Sequence, residues 1–176
     1  MNPIAAGVVT LVALERLAEL WYARRNTRAL LAQGGLEVGR GHYPLMVALH
    51  AAWLLAILLA VPPEAPISAP LLAVFALLQG CRLWVLLSLG RYWTTRVITV
   101  PDAPLVRRGP YRFLRHPNYL VVAAEIAVLP LAFGAWRVAL AFSALNAALL
   151  AWRIGVEDQA LGPRRQAPGQ TPHTIP

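Results

Sequence analysis

The chain contains no lysine. All sixteen of its basic residues are arginines, set against only eight acidic residues, for a formal net charge of +8. Charge of either sign is scarce, at 14% of the 176 residues, where a soluble domain carries about 25%. So little charge excludes an ordinary soluble globular domain. The 58% hydrophobic content and the mean hydropathy of +0.54 point to a membrane protein instead. Cysteine is nearly absent as well. The lone Cys81 builds neither a disulfide framework nor a cysteine-based zinc site within one chain, and its apolar neighbours predict a buried structural thiol. Arginines on a soluble face, interleaved with aromatics, would argue for nucleic acid. Here they lie between apolar runs, so no nucleic-acid partner is expected.

What is present is apolar length. A bilayer core about 30 Å thick takes about 20 mostly apolar helical residues. Five segments qualify, roughly Pro3 to Ala23, Tyr43 to Val61, Ala69 to Gly90, Asn118 to Gly134 and Trp136 to Gly155. The predicted fold class is an all-α integral membrane protein of about five transmembrane helices. Pro44 suits the start of the second helix and Pro62-Pro63 its end. Phe133-Gly134-Ala135 leaves room only for a tight antiparallel hairpin between the last two. The first span lacks a basic leader and carries Glu15, Arg16 and Glu19, which argues against a cleaved signal peptide. Twelve arginines fall on one set of alternate connections and Arg137 alone on the other. By the positive-inside rule the arginine-rich side faces the cytoplasm and the N-terminus lies outside. The chain divides into a three-helix region over 1–90, a polar connection with a closing helical hairpin over 91–161, and a proline-rich polar tail over 162–176, expected to be disordered.

Several charges fall inside or at the ends of these spans. On insertion scales each costs about 2.5 to 3.5 kcal/mol at a helix centre, so it must face protein, water or another charge. Glu15 and Glu19 sit one turn apart, with Arg16 in reach of Glu19. A structural ion network and a functional site are both open for this group, and the sequence does not pair Arg82 or Glu125. Arg153 and Glu157 are spaced i, i+4 and project from one face about 5 to 6 Å apart at Cβ. They form either a simple intrahelical salt bridge or a polar site at the membrane border, with Arg153 for an anion and Glu157 for a cation or hydroxyl. His42 and His50 fall about 80° apart around a helix, too far to share a metal ion. His42 and Tyr43 are expected as interfacial anchors.

The stretch "GPYRFLRHPNYL", Gly109 to Leu120, sets arginine, histidine and tyrosine directly before an apolar run. Pro117 suits the first turn of a helix, so His116 and the arginines before it lie where free backbone N–H groups and the helix dipole favour anions. Gly109-Pro110 marks a turn that returns Tyr111 toward the membrane. The cluster is suited to hold a polar, partly anionic molecule beside an apolar one.

In these motifs the sequence resembles the isoprenylcysteine carboxyl methyltransferases and their bacterial relatives. The matching elements are Leu105-Val106, Gly109-Pro110-Tyr111, Arg115-His116-Pro117-Asn118-Tyr119 and the run from Arg153 to Glu157-Asp158. The resemblance implies a cytoplasmic-side pocket for S-adenosylmethionine, held by the backbone of Leu105 and Val106, by Tyr111, by His116, Pro117, Asn118 and Tyr119, and by Glu157. It implies that Arg153 faces the acceptor and that Arg153 and Glu157 carry the chemistry. The implied reaction is O-methylation of a carboxylate or acidic hydroxyl on a lipophilic small molecule or prenylated substrate, among membrane lipid, in a bacterial inner membrane. No metal is called for. The family often has a histidine two residues before the Leu-Val pair, where this chain has Ala103. The N-terminal half looks more like bacterial members, some of which O-methylate lipophilic polyketides such as alkylpyrones. Two other classes stay open: a sterol-reductase-like membrane enzyme using a nicotinamide cofactor, similar at "RHPNYL" but with Leu120-Val121 where those enzymes have Gly-Asp, and a non-catalytic membrane scaffold.

Overall fold

The computed structural model describes residues 2–39, 41–100 and 106–166, with side chains through Gln159. In chain order the elements are α1 (Pro3–Ala32), β1 (Leu36–Val38), α2 (His42–Ala60), α3 (Ala69–Leu89), β2 (Val97–Thr99), α4 (Pro117–Ala132) and α5 (Trp136–Gln166), with short 3-10 turns at Gly90–Tyr92 and Gly109–Arg112. Of the described residues 77% are helical. Among the described residues three helical stretches are long and apolar enough to cross a membrane: His42–Ala60, Ala69–Tyr92 and Trp136–Gln159. Helix α1 stands apart because Glu15, Arg16 and Glu19 interrupt its apolar face. Helix α4 stands apart because its 16 residues span only about 24 Å.

Local chemistry sets the helix ends. The Asn2 side chain accepts from the N–H groups of Ile4 and Ala5, and Pro3 occupies the first helical position, where no donor is needed. Its amide also donates to the Pro63 carbonyl at 3.1 Å, fastening α1 to the end of α2. Pro117 opens α4 in the same way. At the other end of α4 the N–H of Gly134 reaches Leu131 O at 3.0 Å and that of Ala135 reaches Pro130 O at 2.9 Å. With Gly134 at φ 71°, this is the Schellman stop that permits the tight hairpin into α5.

The helical architecture is as expected, with two features the sequence reading did not include. Strands β1 and β2 pair antiparallel, Leu36 opposite Thr99 and Val38 opposite Val97, tying the end of α1 to the segment after α3. Three-residue strands carry too little period-two pattern to be read from sequence. Helices α1 and α5 also run 30 and 31 residues, about 45 Å each and longer than a bilayer core. Residues 162–166 of the expected disordered tail are therefore helical, and residues 167–176 lie outside the described residues. Cys81 is half-buried on α3 rather than enclosed.

Packing runs in three tiers. At one end Val9, Val12, Trp53, Ile57, Phe75, Ile126, Leu129 and Phe133 form an apolar core joining α1 to α4, and Trp53 Nε1 donates to Ile126 O at 3.2 Å. The middle tier is ionic. Arg82 of α3 donates from Nε and Nη2 to the Glu19 carboxylate at 2.5 and 2.7 Å and from Nη1 to Glu125 of α4 at 3.0 Å. Arg16 adds contacts to Glu19 at 3.0 Å and Gln79 at 3.0 Å, and Gln79 donates to Glu125 at 3.0 Å. At the far end Ala23, Val85 and Trp93 form a smaller core. There the Asn26 amide donates to Gly90 O and Trp93 O, fixing the turn that leaves α3.

Candidate active site

Above the ionic tier the chain after α3 folds back over the helix ends. Arg108 donates to Ser88 O at 2.7 Å, and Gly109, at φ 58°, lies so close to the Ser88 side chain that a Cβ there would collide with it. This docking carries Tyr111 inward. Burial, reinforced by the Glu157 carboxylate, pushes its phenol above the ordinary range, so Tyr111 remains a neutral hydroxyl.

Helices α4 and α5 supply the centre. The hydroxyl of Tyr119, two residues into α4, donates to Glu157 Oε2 and accepts from Arg153 Nε at 2.8 Å. Arg153 is buried, with a further bond from Nη1 to Thr95 O at 2.8 Å and a contact to Met46 Sδ at 3.4 Å. Arg153 and Glu157 thus meet on one phenol. No direct bond between the two guanidinium and carboxylate groups is formed among the described residues. His116 stacks on the Tyr119 ring with centroids 5.1 Å apart, and its Nδ1 lies 3.6 Å from Glu157 Oε1.

Two cavities meet at this cluster. A polar one of about 470 Å³ is lined by Tyr92, Arg96, Val106, Arg107, Tyr111, Arg115, His116 and Glu157. A second of about 300 Å³ runs into the helix bundle and is lined largely by apolar side chains of α1, α2 and α5, including Leu17, Leu20, Val47, Leu54, Leu149 and Leu150. Trp93, Thr94, Asn118, Tyr119 and Arg153 border both.

Of the residues singled out from sequence, Val106, Tyr111, His116, Asn118, Tyr119, Arg153 and Glu157 line the polar cavity. Pro117 is buried as the first residue of α4 behind it. Leu105, like Ala103, lies outside the described residues. His42 is not an interfacial anchor: it is 1% exposed, lines the inner cavity and meets Trp152 edge-on at 6.1 Å. Tyr43 stays near the surface, under the Arg96 guanidinium at 4.6 Å, while Arg96 itself pairs with Glu37 of β1 at 2.8 Å. Sequence reasoning missed Trp93 and Thr94 at the junction, and Met46, His50 and Asn146 in the inner cavity. The spacing of Asn146, Leu149, Leu150 and Arg153, a single helical face, was the available signal.

Fold and site define a helical membrane protein in which a polar pocket at the helix ends opens onto an apolar chamber among the helices. The chain belongs to the isoprenylcysteine carboxyl methyltransferase (ICMT) family, whose model matches residues 71–163. Membership makes it a membrane methyltransferase. It is 38% identical over 158 residues to the Bacillus subtilis (strain 168) protein described as "Uncharacterized protein YpbQ", covering 88% of this chain and 94% of that one. It is 25% identical over 151 residues to an uncharacterized protein of Haemophilus influenzae, covering 83% and 88% of the two chains. No solved structure matches the chain.

Proposed function

We propose that the protein transfers the methyl group of S-adenosylmethionine to an oxygen, carboxylate or acidic hydroxyl, of a lipophilic acceptor, prenylcysteine-like or alkylpyrone-like, drawn from the membrane. The observation that carries this reading is the junction: one wall, Tyr119 with Arg153, separates a polar pocket from an apolar chamber. The donor set of the polar pocket fits the cofactor. Arg115 answers a carboxylate, Glu157 answers an ammonium or ribose hydroxyl, and the buried Asn118 Oδ1 and His116 Nε2 have no hydrogen-bond partner among the described residues.

Bound there, the cofactor supplies an electrophilic methyl on a sulfonium sulfur, a leaving group that needs no further activation. The chain's part is alignment and the exclusion of water. Arg153 holds the acceptor oxygen as the anion through its Nη2 edge, while Tyr119 and Thr95 O fix the planar guanidinium from behind through Nε and Nη1. Glu157 and Arg153 lie one turn apart on α5, so the two substrates are held by a single rigid helix. A carboxylate or acidic enol is already ionised at neutral pH, so no general base is required.

In this reading α1 and α4 cross the membrane along with the other three helices, their charges paired inside the bundle. The arginine-rich face with the polar pocket then lies in the cytoplasm of a bacterial inner membrane. The test is calorimetric titration of purified, folded protein with S-adenosylmethionine and with NADPH, followed by transfer of labelled methyl to a panel of lipophilic acids and enols. Saturable S-adenosylmethionine binding with transfer is expected. Binding of NADPH alone would restore the reductase alternative, and binding of neither would leave a scaffold.

A further inference from the structure

The inner chamber is more than a slot for hydrocarbon. The strip of α2 facing it carries His42, Met46 and His50 at four-residue steps, and the strip of α5 carries Asn146 and Arg153. The two helices run antiparallel, since Gly39 approaches Val156, His42 meets Trp152 and Met46 touches Arg153. That register places His50 and Asn146 at one level, about 6 to 10 Å deeper than Arg153.

Both carry open hydrogen-bonding capacity. His50 Nδ1 lies 2.8 Å from the Met46 carbonyl oxygen. A carbonyl only accepts, so Nδ1 carries the hydrogen, and Nε2 of the neutral ring is left as an acceptor. Nε2 has no bonding partner among the described residues. Asn146 is 2% exposed, and its amide, a donor and an acceptor together, makes no hydrogen bond among the described residues. Of the other polar groups on this wall, Arg16, Glu19 and Arg82 are engaged within the ionic tier, while His42 and Asn118 Oδ1, also without hydrogen-bond partners among the described residues, lie at the Arg153 end of the chamber. A buried amide left open in an apolar chamber is costly unless an occupant answers it.

We propose that the acceptor carries a second polar group on its tail side, one that both donates and accepts, such as a mid-chain hydroxyl, and that His50 and Asn146 hold it between α2 and α5. The hydroxyl donates to His50 Nε2 and accepts from the Asn146 amide, while the reacting oxygen lies against Arg153. This rests on reading the chamber as the acceptor site. It narrows the substrate class from any lipophilic acid or enol to a bipolar amphiphile, oxygenated at two places separated by one to two helical turns.

The test compares dodecanoic acid with its mid-chain hydroxylated counterpart as competing ligands for full-length protein in nanodiscs, without cofactor. Wild type is expected to bind the hydroxylated acid roughly three- to tenfold more tightly, the range of one or two net hydrogen bonds. Asn146→Leu and His50→Phe should each erase that preference while keeping affinity for the plain acid. Equal affinities in wild type, no saturable binding of either acid, or a preference that survives in Asn146→Leu would overturn the proposal. The wild-type comparison stands even if a variant misfolds. Cofactor titration of the same samples reads the proposed methyl transfer separately, because losing cofactor binding would sink that reading without touching the preference between the acids.

Discussion

Tyr119 is the residue on which the site turns. Its hydroxyl is acceptor to Arg153 and donor to Glu157 at once, so Tyr119→Phe removes two charge-assisted bonds without changing the ring stacked on His116. Direct titration should show S-adenosylmethionine affinity lowered by about 1.5 to 3 kcal/mol, with helical circular dichroism unchanged. His116→Ala should weaken the cofactor in the same assay. Unchanged affinity in both variants would reduce the cluster to a structural role. Arg153 separates the two substrates differently. Arg153→Lys keeps the charge but loses the fork, so turnover should fall about tenfold or more while cofactor affinity stays near wild type. Full activity in both Arg153→Lys and Arg153→Ala would show that Arg153 does not touch the acceptor. Much of this was legible in the sequence, because Arg153 and Glu157 share a helical face whatever the fold. The phenol between them was not, since it comes from α4, 34 and 38 residues away.

At the scale of elements, the apolar runs and their proline and glycine boundaries read well, since a membrane leaves the backbone few options but helix. The β1–β2 pairing was illegible for the opposite reason: its stability comes from partners 59 to 63 positions apart, not from local pattern. The ionic tier is a second non-local feature, and it sets the strength of the α1–α3–α4 contact. Arg82→Met leaves the buried Glu19 and Glu125 with Arg16 as their one shared guanidinium among the described residues, one cation too few for two carboxylates, which should destabilise the protein by up to about 3 to 5 kcal/mol in thermal unfolding in detergent. Adding Glu19→Gln should recover part of the loss, and a silent single variant would mean that water reaches the network. Gly109→Ala tests the docking of the connection on α3. Its backbone lies in the left-handed region and a methyl would meet Ser88, so the polar pocket should loosen. Cofactor affinity is expected to fall with little change in melting temperature, because the helix cores are untouched.

For the whole molecule the decisive measurement is orientation. The twelve-to-one arginine asymmetry predicts that reporter fusions at Arg24, Arg112 and the C-terminus report the cytoplasm, and one at Pro63 the opposite side. A reporter that placed the Arg91 to Arg115 connection outside would remove the pocket from any cytosolic cofactor. The tier of paired charges also bears on how such a chain is made. Synthesis delivers α1 first, with Glu15, Arg16 and Glu19 in its middle; Arg16 already pairs with Glu19, but the second guanidinium that closes the network belongs to a residue 63 positions later. Alone in lipid, those charges would resist burial. In the proposed five-span arrangement α1 would then enter the bilayer only as α3 arrives, its insertion an act of assembly rather than of its own hydrophobicity.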